Sequence, residues 1–228
     1  MIPAVTVLLT SYNRPQYLSR AIQSVLAQTF TDWELMILDD GSPDPGIGTI
    51  LHNVAKWGDS RITVQRFVTT DAERAATCRY ATLINWGAAH TTGKYITYLC
   101  DDDWYLPDRL ERMVAILETG VDVVYGAQEM WEDGVIFHTR GADAVLTNAN
   151  ARVDQNSVMH TRSAFEAVGG WDDREMVWRF ADAFFWDRLT DAGYLFRPVP
   201  DGPTDAKLYH DDCVDRRIRR GEAPWTAA

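Results

Sequence analysis

Three cysteines are few for 228 residues, and Cys78, Cys100 and Cys213 share no CxxC spacing. An odd, scattered set excludes a disulfide framework and a cysteine-held zinc site, and implies a reducing compartment. Positive charge is also scarce: 22 Lys and Arg face 33 Asp and Glu, a formal net charge of −11. General nucleic-acid binding needs the opposite sign, so no nucleic-acid partner is expected. No apolar run approaches the roughly 20 residues that cross a bilayer. The first residues lack a basic n-region and reach Ser11, Asn13 and Arg14 too early for a secretory leader, so a cytoplasmic protein is expected. GxGxxG, GxxxxGK[ST] and GxSxG are all missing. That removes the simplest dehydrogenase, P-loop and serine-hydrolase readings.

What remains is an ordinary globular mixture, 46% hydrophobic and 24% charged, of a length that favours one α/β domain. Val5 to Leu9 reads as a buried strand, and Pro15 opens a helix with Leu18, Ala21, Ile22, Val25 and Leu26 on one face. Leu35 to Leu38 reads as a strand ending at Asp39-Asp40-Gly41. A helix over 47–57, a strand over 62–67, a helix over 74–90 and a strand over 95–99 follow. A helix led by Pro107 comes next. This alternation predicts a mostly parallel sheet covered by helices on both faces. Beyond it the pattern predicts a hairpin around Asp133-Gly134, strands over 153–160 and 195–199, and a helix over 182–192. The economical description is a single domain over 1–228. A nucleotide half would occupy about 1–103, an acceptor half about 104–212, and a polar tail 213–228.

In open parallel sheets ligands bind outside the carboxyl ends of the strands. Asp39-Asp40 and Asp101-Asp102-Asp103 both follow predicted strands, so they are expected to share one cleft. Three adjacent carboxylates repel, and burying them is costly without a cation. A hard divalent ion would offset that cost and bind diphosphate oxygens. A solvated turn capping the next helix is the bland alternative. Asp40 could accept hydrogen bonds from a base or ribose, or simply form a turn. Arg74 and Arg79 suit a diphosphate because a guanidinium matches phosphate oxygens in a bidentate fork. Asp182 precedes the aromatic run Phe184-Phe185-Trp186; partial desolvation there would suit a general base, though a helix N-cap explains an aspartate equally well. His210 is the one histidine that could reach a metal from the C-terminal side, with an ordinary surface position as the alternative.

Residues 5–13 (VTVLLTSYN), 21–30 (AIQSVLAQTF), 34–42 (ELMILDDGS), 93–98 and 101–110 together resemble the family 2 glycosyltransferases of GT-A fold. Residues 79–85, 157–160 and 182–186 resemble, within that family, the spore-coat polysaccharide glycosyltransferases of bacilli. The resemblance covers about residues 3–212. It implies a nucleoside-diphosphate-sugar donor, UDP- or dTDP-linked, and a glycan or small-molecule acceptor. Thr10, Tyr12, Asp40, Arg74 and Arg79 would face the nucleotide, and Asp101 and Asp102 the diphosphate. Asp102, with Asp103 and His210, would hold Mn2+ or Mg2+, and Asp182 would deprotonate the acceptor in an inverting step. Two positions depart from the pattern: Cys100 where the Asp-x-Asp run normally begins, and Ala181 before the base. They keep open a second reading, a nucleotide-sugar-binding module without turnover. No Gln-x-x-Arg-Trp run of processive synthases is present, which points to single additions. A nucleotidyltransferase would need a Gly-rich basic loop where Thr10-Ser11-Tyr12-Asn13 stands.

Overall fold

The computed structural model describes residues 2–150, 152–174, 177, 180–211, 213 and 216. The first half alternates as expected: β1 (Val5–Ser11), α1 (Pro15–Leu26), β2 (Trp33–Asp39), α2 (Pro45–Lys56) and β3 (Ile62–Arg66). Then come α3 (Asp71–Ala76), α4 (Arg79–Ala89), β4 (Tyr95–Cys100), β5 (Trp104–Tyr105) and α5 (Arg109–Leu117). The second half holds β6 (Val123–Glu132), β7 (Val135–Arg140), β8 (Val158–Thr161), α6 (Arg162–Ala167), α7 (Ala181–Asp191) and β9 (Phe196–Tyr209). One sheet runs through both halves in the order β3-β2-β1-β4-β8-β6-β9-β5, with β7 hairpinned onto β6. The four strands β3, β2, β1 and β4 are parallel; β8 enters antiparallel to β4 and begins the mixed half.

Alternating side chains of the parallel strands feed two cores, as a period of two requires. Val5, Val7 and Leu9 of β1 join Leu35 and Ile37 of β2 against Leu18, Ile22 and Val25 of α1, with α2 and α5 beside them. On the other face Leu8, Met36, Leu38, Ile96 and Tyr98 meet α4, α6 and α7. Each fully buried Leu or Ile contributes roughly 1.5–3 kcal/mol. Helix α4 lies so close to the sheet that a Cβ on Gly87 would sit 2.8 Å from Leu8 and 2.9 Å from Leu38. The hairpin turn puts Asp133 and Gly134 both at positive φ (49° and 79°), the backbone that two-residue hairpins demand.

Three expected elements differ. The single helix over 74–90 is two, broken at Thr77 and Cys78. Thr77 is extended and bridged to Arg174, and the Cys78 N–H donates to the Asp173 carbonyl at 2.8 Å, so tertiary pairing overrides helix propensity. The strand over 153–160 starts as a 3-10 turn at Gln155–Ser157, capped by Asp154. The strand over 195–199 continues to Tyr209 through Pro198, Pro200 and Pro203, and its register with β6 shifts between Pro198 and Asp205. Of the expected tail only Cys213 and Arg216 fall among the described residues; Cys213 is buried and Arg216 pairs with Glu132 and Asp211.

Candidate active site

Register places the two acidic segments side by side. Ser11 of β1 is level with Asp39 of β2, and Thr10 is level with Cys100 of β4. Asp39-Asp40, Ser11-Tyr12 and Asp101-Asp102-Asp103 therefore leave one edge of the sheet together. Tyr12 spans them. Its N–H donates to Asp101 Oδ2 at 3.0 Å, while its ring lies 3.9 Å beneath the Arg74 guanidinium.

Asp40 is buried and richly paired. Its Oδ1 accepts from Thr69 Oγ1 at 2.7 Å and from Arg79 Nε and Nη2 at 3.0 and 2.8 Å, and its Oδ2 accepts from Arg74. Arg74 closes α3 and Arg79 opens α4, so the break between those helices aims both guanidinia at one carboxylate. Gly41 (φ 73°) lets the chain turn here, where a Cβ would lie 3.0 Å from the Phe67 carbonyl. The neighbouring Asp39 is taken up by Ser42 and Arg66, a structural role.

The three consecutive aspartates are all buried but differently served. Asp101 Oδ1 lies 2.9 Å from Arg14 Nη2, yet has no aligned hydrogen-bond donor. Asp102 Oδ2 accepts from Arg14 and lies 3.0 Å from His210 Nε2. Asp103 accepts from the Leu208 N–H at 2.8 Å and from Asn156 Nδ2. Burial pushes Asp101 and Asp103 above the usual carboxylate range, helped by their neighbour's charge. Burial pushes Asp102 the same way, but Arg14 and His210 overcome it and hold it below.

A divalent cation fits this donor set. Donor atoms of Cys100, Asp102 and Asp103 lie within 4.8 Å of one another, and Asp101 Oδ1 is a buried oxygen without an aligned donor. The oxygens are hard ligands of the kind Mg2+ and Mn2+ take. A guanidinium already bridges two of the carboxylates.

Asp182 sits in the first turn of α7, half-buried, but does not cap the helix; that position is Phe180. Its carboxylate accepts from the Ala183 N–H at 2.8 Å. Burial, then the charge of Asp154, pushes it up to about 6. Asp154 is in turn bonded by Lys207 Nζ at 2.7 Å and feels the charge field that also reaches Asp103 and Cys100. The charge of Asp154 thus acts on Asp182, Asp103 and Cys100 alike. His160, from the segment 157–160, is a buried structural group. Burial lowers it to about 4, so it stays neutral, with Tyr98 Oη 2.6 Å from Nε2.

Sequence reasoning missed Arg14, Asp154, Asn156 and Lys207. Asn156 accepts the Cys100 N–H at 2.8 Å while its amide donates to Asp103 and Asp154, so it fixes the end of β4. Arg14 alone left a trace, as a basic residue directly after a buried strand. The other three come from the irregular half and are assembled by β9 and the turn before β8.

Residues 6–169 match the pattern of Glycosyl transferase family 2. This chain belongs to that family. The family 2 chain is 39% identical over 199 residues to Protein CgeD of Bacillus subtilis, covering 82% of this chain and 46% of CgeD. It is also 31% identical over 128 residues to WfgD of Escherichia coli, named as a UDP-Glc:alpha-D-GlcNAc-diphosphoundecaprenol beta-1,3-glucosyltransferase; the match covers 55% of this chain and 46% of WfgD. These two matches each reach about half the relative's length. Among solved structures, S. aureus TarS 1–349 in complex with UDP-GlcNAc superimposes with TM-score 0.71 at 16% identity, covering 92% of this chain and 59% of that one. The fold of this family 2 member is therefore of GT-A type: an α/β sheet, parallel then mixed, between helices. No helix among the described residues is long and apolar enough to cross a membrane.

Proposed function

We propose that this chain moves single sugars, with inversion, from a UDP- or dTDP-linked donor to a hydroxyl of a glycan or small-molecule acceptor. The observation that carries the reading is the meeting of Asp40 and Asp102 at one sheet edge, with Tyr12 touching both neighbourhoods. Family membership and the UDP-sugar in WfgD's name support the donor class. Cysteine usage supports a cytoplasmic location.

In this reading Thr10 and Tyr12 line the nucleoside pocket. Asp40 accepts from the imide of a pyrimidine base, and Arg74 and Arg79 fix its carboxylate in place. Bound Mn2+ or Mg2+, held by Asp102 with Asp101, Asp103 and His210 beside it, would neutralise the diphosphate and improve it as a leaving group. Asp182 accepts the proton of the acceptor hydroxyl as that oxygen attacks the anomeric carbon from the side opposite the departing diphosphate. A carboxylate raised to about 6 is ionised at neutral pH yet more basic than an ordinary aspartate. The half-buried setting beside the aromatic run supplies that shift by desolvation.

Thermal shifts with UDP, dTDP, GDP and CDP, each with and without Mn2+, test the donor assignment. A pyrimidine diphosphate with Mn2+ is expected to raise Tm most. Equal or absent shifts with all four nucleotides would sink the reading.

A further inference from the structure

The Arg14 side chain holds the seat that a divalent ion needs. It leaves β1 just past Asn13, whose positive φ of 56° turns the chain back over the cleft. That turn is pinned twice: the Asn13 N–H donates to Ser42 Oγ at 2.8 Å, and Asn13 Oδ1 accepts the Asp44 N–H at 3.1 Å. From there Arg14 reaches Asp101 Oδ1 at 2.9 Å and donates to Asp102 Oδ2. Asp101 is fully buried and Asp102 nearly so, whereas the Arg14 side chain is 28% exposed. The guanidinium thus closes the cleft over the carboxylates from the solvent side.

We infer that Arg14 is an internal counter-cation that competes with the divalent ion for Asp102, so that entry of the ion displaces the guanidinium. The inference rests on the reading that these carboxylates hold an ion. The physical reason is simple. Both cations draw on the Asp102 carboxylate, and two positive charges on one buried carboxylate repel strongly. The same Arg14 contact offsets the repulsion among three adjacent buried carboxylates, keeping the cleft assembled before any ligand arrives. Displaced from its seat, the guanidinium remains tethered beside Tyr12, where a diphosphate supplies the anion it has lost. Donor and ion therefore bind cooperatively: the ion alone must expel Arg14 without compensation, and the donor provides the compensation.

The test is Mn2+ binding to the full chain, read from the electron paramagnetic resonance signal of free Mn2+. Wild type, Arg14→Ala, Arg14→Lys and Asp102→Asn are compared with and without UDP. Without UDP, Arg14→Ala is expected to bind Mn2+ at least about tenfold more tightly than wild type, with Arg14→Lys between them. With UDP the gain shrinks or reverses. Mn2+ binding by Arg14→Ala equal to or weaker than that of wild type overturns the exchange, and loss of binding in Asp102→Asn then leaves the ion site standing. No Mn2+ binding by any protein, with or without UDP, overturns the ion site as well. If Arg14→Ala does not fold, 15N spectra of wild type during Mg2+ titration decide the matter. The Arg14 Nε–H resonance must move as Mg2+ binds, and a stationary resonance at Mg2+ saturation overturns the inference.

Discussion

Asp40 and Asp182 are the same residue type at the ends of different elements, and their surroundings differ in kind. Asp40 stands where parallel strands end and two helices begin, and two arginines and a threonine close on it. Asp182 stands in the irregular half and is met by the Ala183 N–H, with the charge of Asp154 nearby. Matched guanidinia make a carboxylate a fixed fitting. Desolvation and a like charge leave it able to take a proton near neutral pH. In the proposed reading, the difference assigns recognition to Asp40 and chemistry to Asp182.

The comparison breaks most visibly at Asp182. Asp182→Asn is expected to lower kcat by about 10²–10⁴-fold, the contribution of a positioned base. UDP affinity, measured by calorimetry, should change less than about twofold. Transfer at the wild-type rate would remove Asp182 from the chemistry. Next in size is Asp40→Ala, which strands Arg74 and Arg79 without their anion. Unfolding in urea should show a loss of about 3 kcal/mol, and UDP binding should fall with it. Stability within about 0.5 kcal/mol of wild type, an ordinary surface result, would mean that the pairs are not what fixes this end of the cleft.

The smallest effect sharpens the contrast by pH. Asp182 ionises at about 6 in the fold and near the reference value of about 3.9 when unfolded. Between these values the folded chain holds more protons, so ionising Asp182 removes stability as pH rises through the window. Asp182→Asn should therefore be more stable than wild type at pH 7, by about 1 kcal/mol after allowance for its partial exposure. The gain should vanish near pH 4. Wild-type kcat/KM should fall about tenfold per unit below pH 6, where the base is protonated. A flat profile between pH 5 and 7 would mean that another group takes the proton.

Legibility followed the same division. Buried parallel strands are continuous apolar runs that stop at polar residues, so β1, β2 and β4 and the acids after them could be read from local pattern. The expected convergence of Asp40 with Asp101 and Asp102 then needed only strand order. The splitting of the helix over 74–90 could not be read, because the cause is a bridge from Thr77 to Arg174, remote in sequence. Asn156 and Lys207 were hidden for a related reason. Their partners Cys100, Asp103 and Asp154 are set by where β9 and the turn before β8 cross the sheet. The extension of β9 past residue 199 was also hidden, because its pairing with β6 there resumes only after two register shifts.

That long last strand has a consequence for insertions and deletions. Lys207, Leu208 and His210 each grip a different acid, Asp154, Asp103 and Asp102 in turn. Adding or deleting one residue between 204 and 206 would flip the strand's two faces and loosen all three grips at once. A point substitution at the rim disturbs one grip, whereas a change of spacing in this segment disturbs all three.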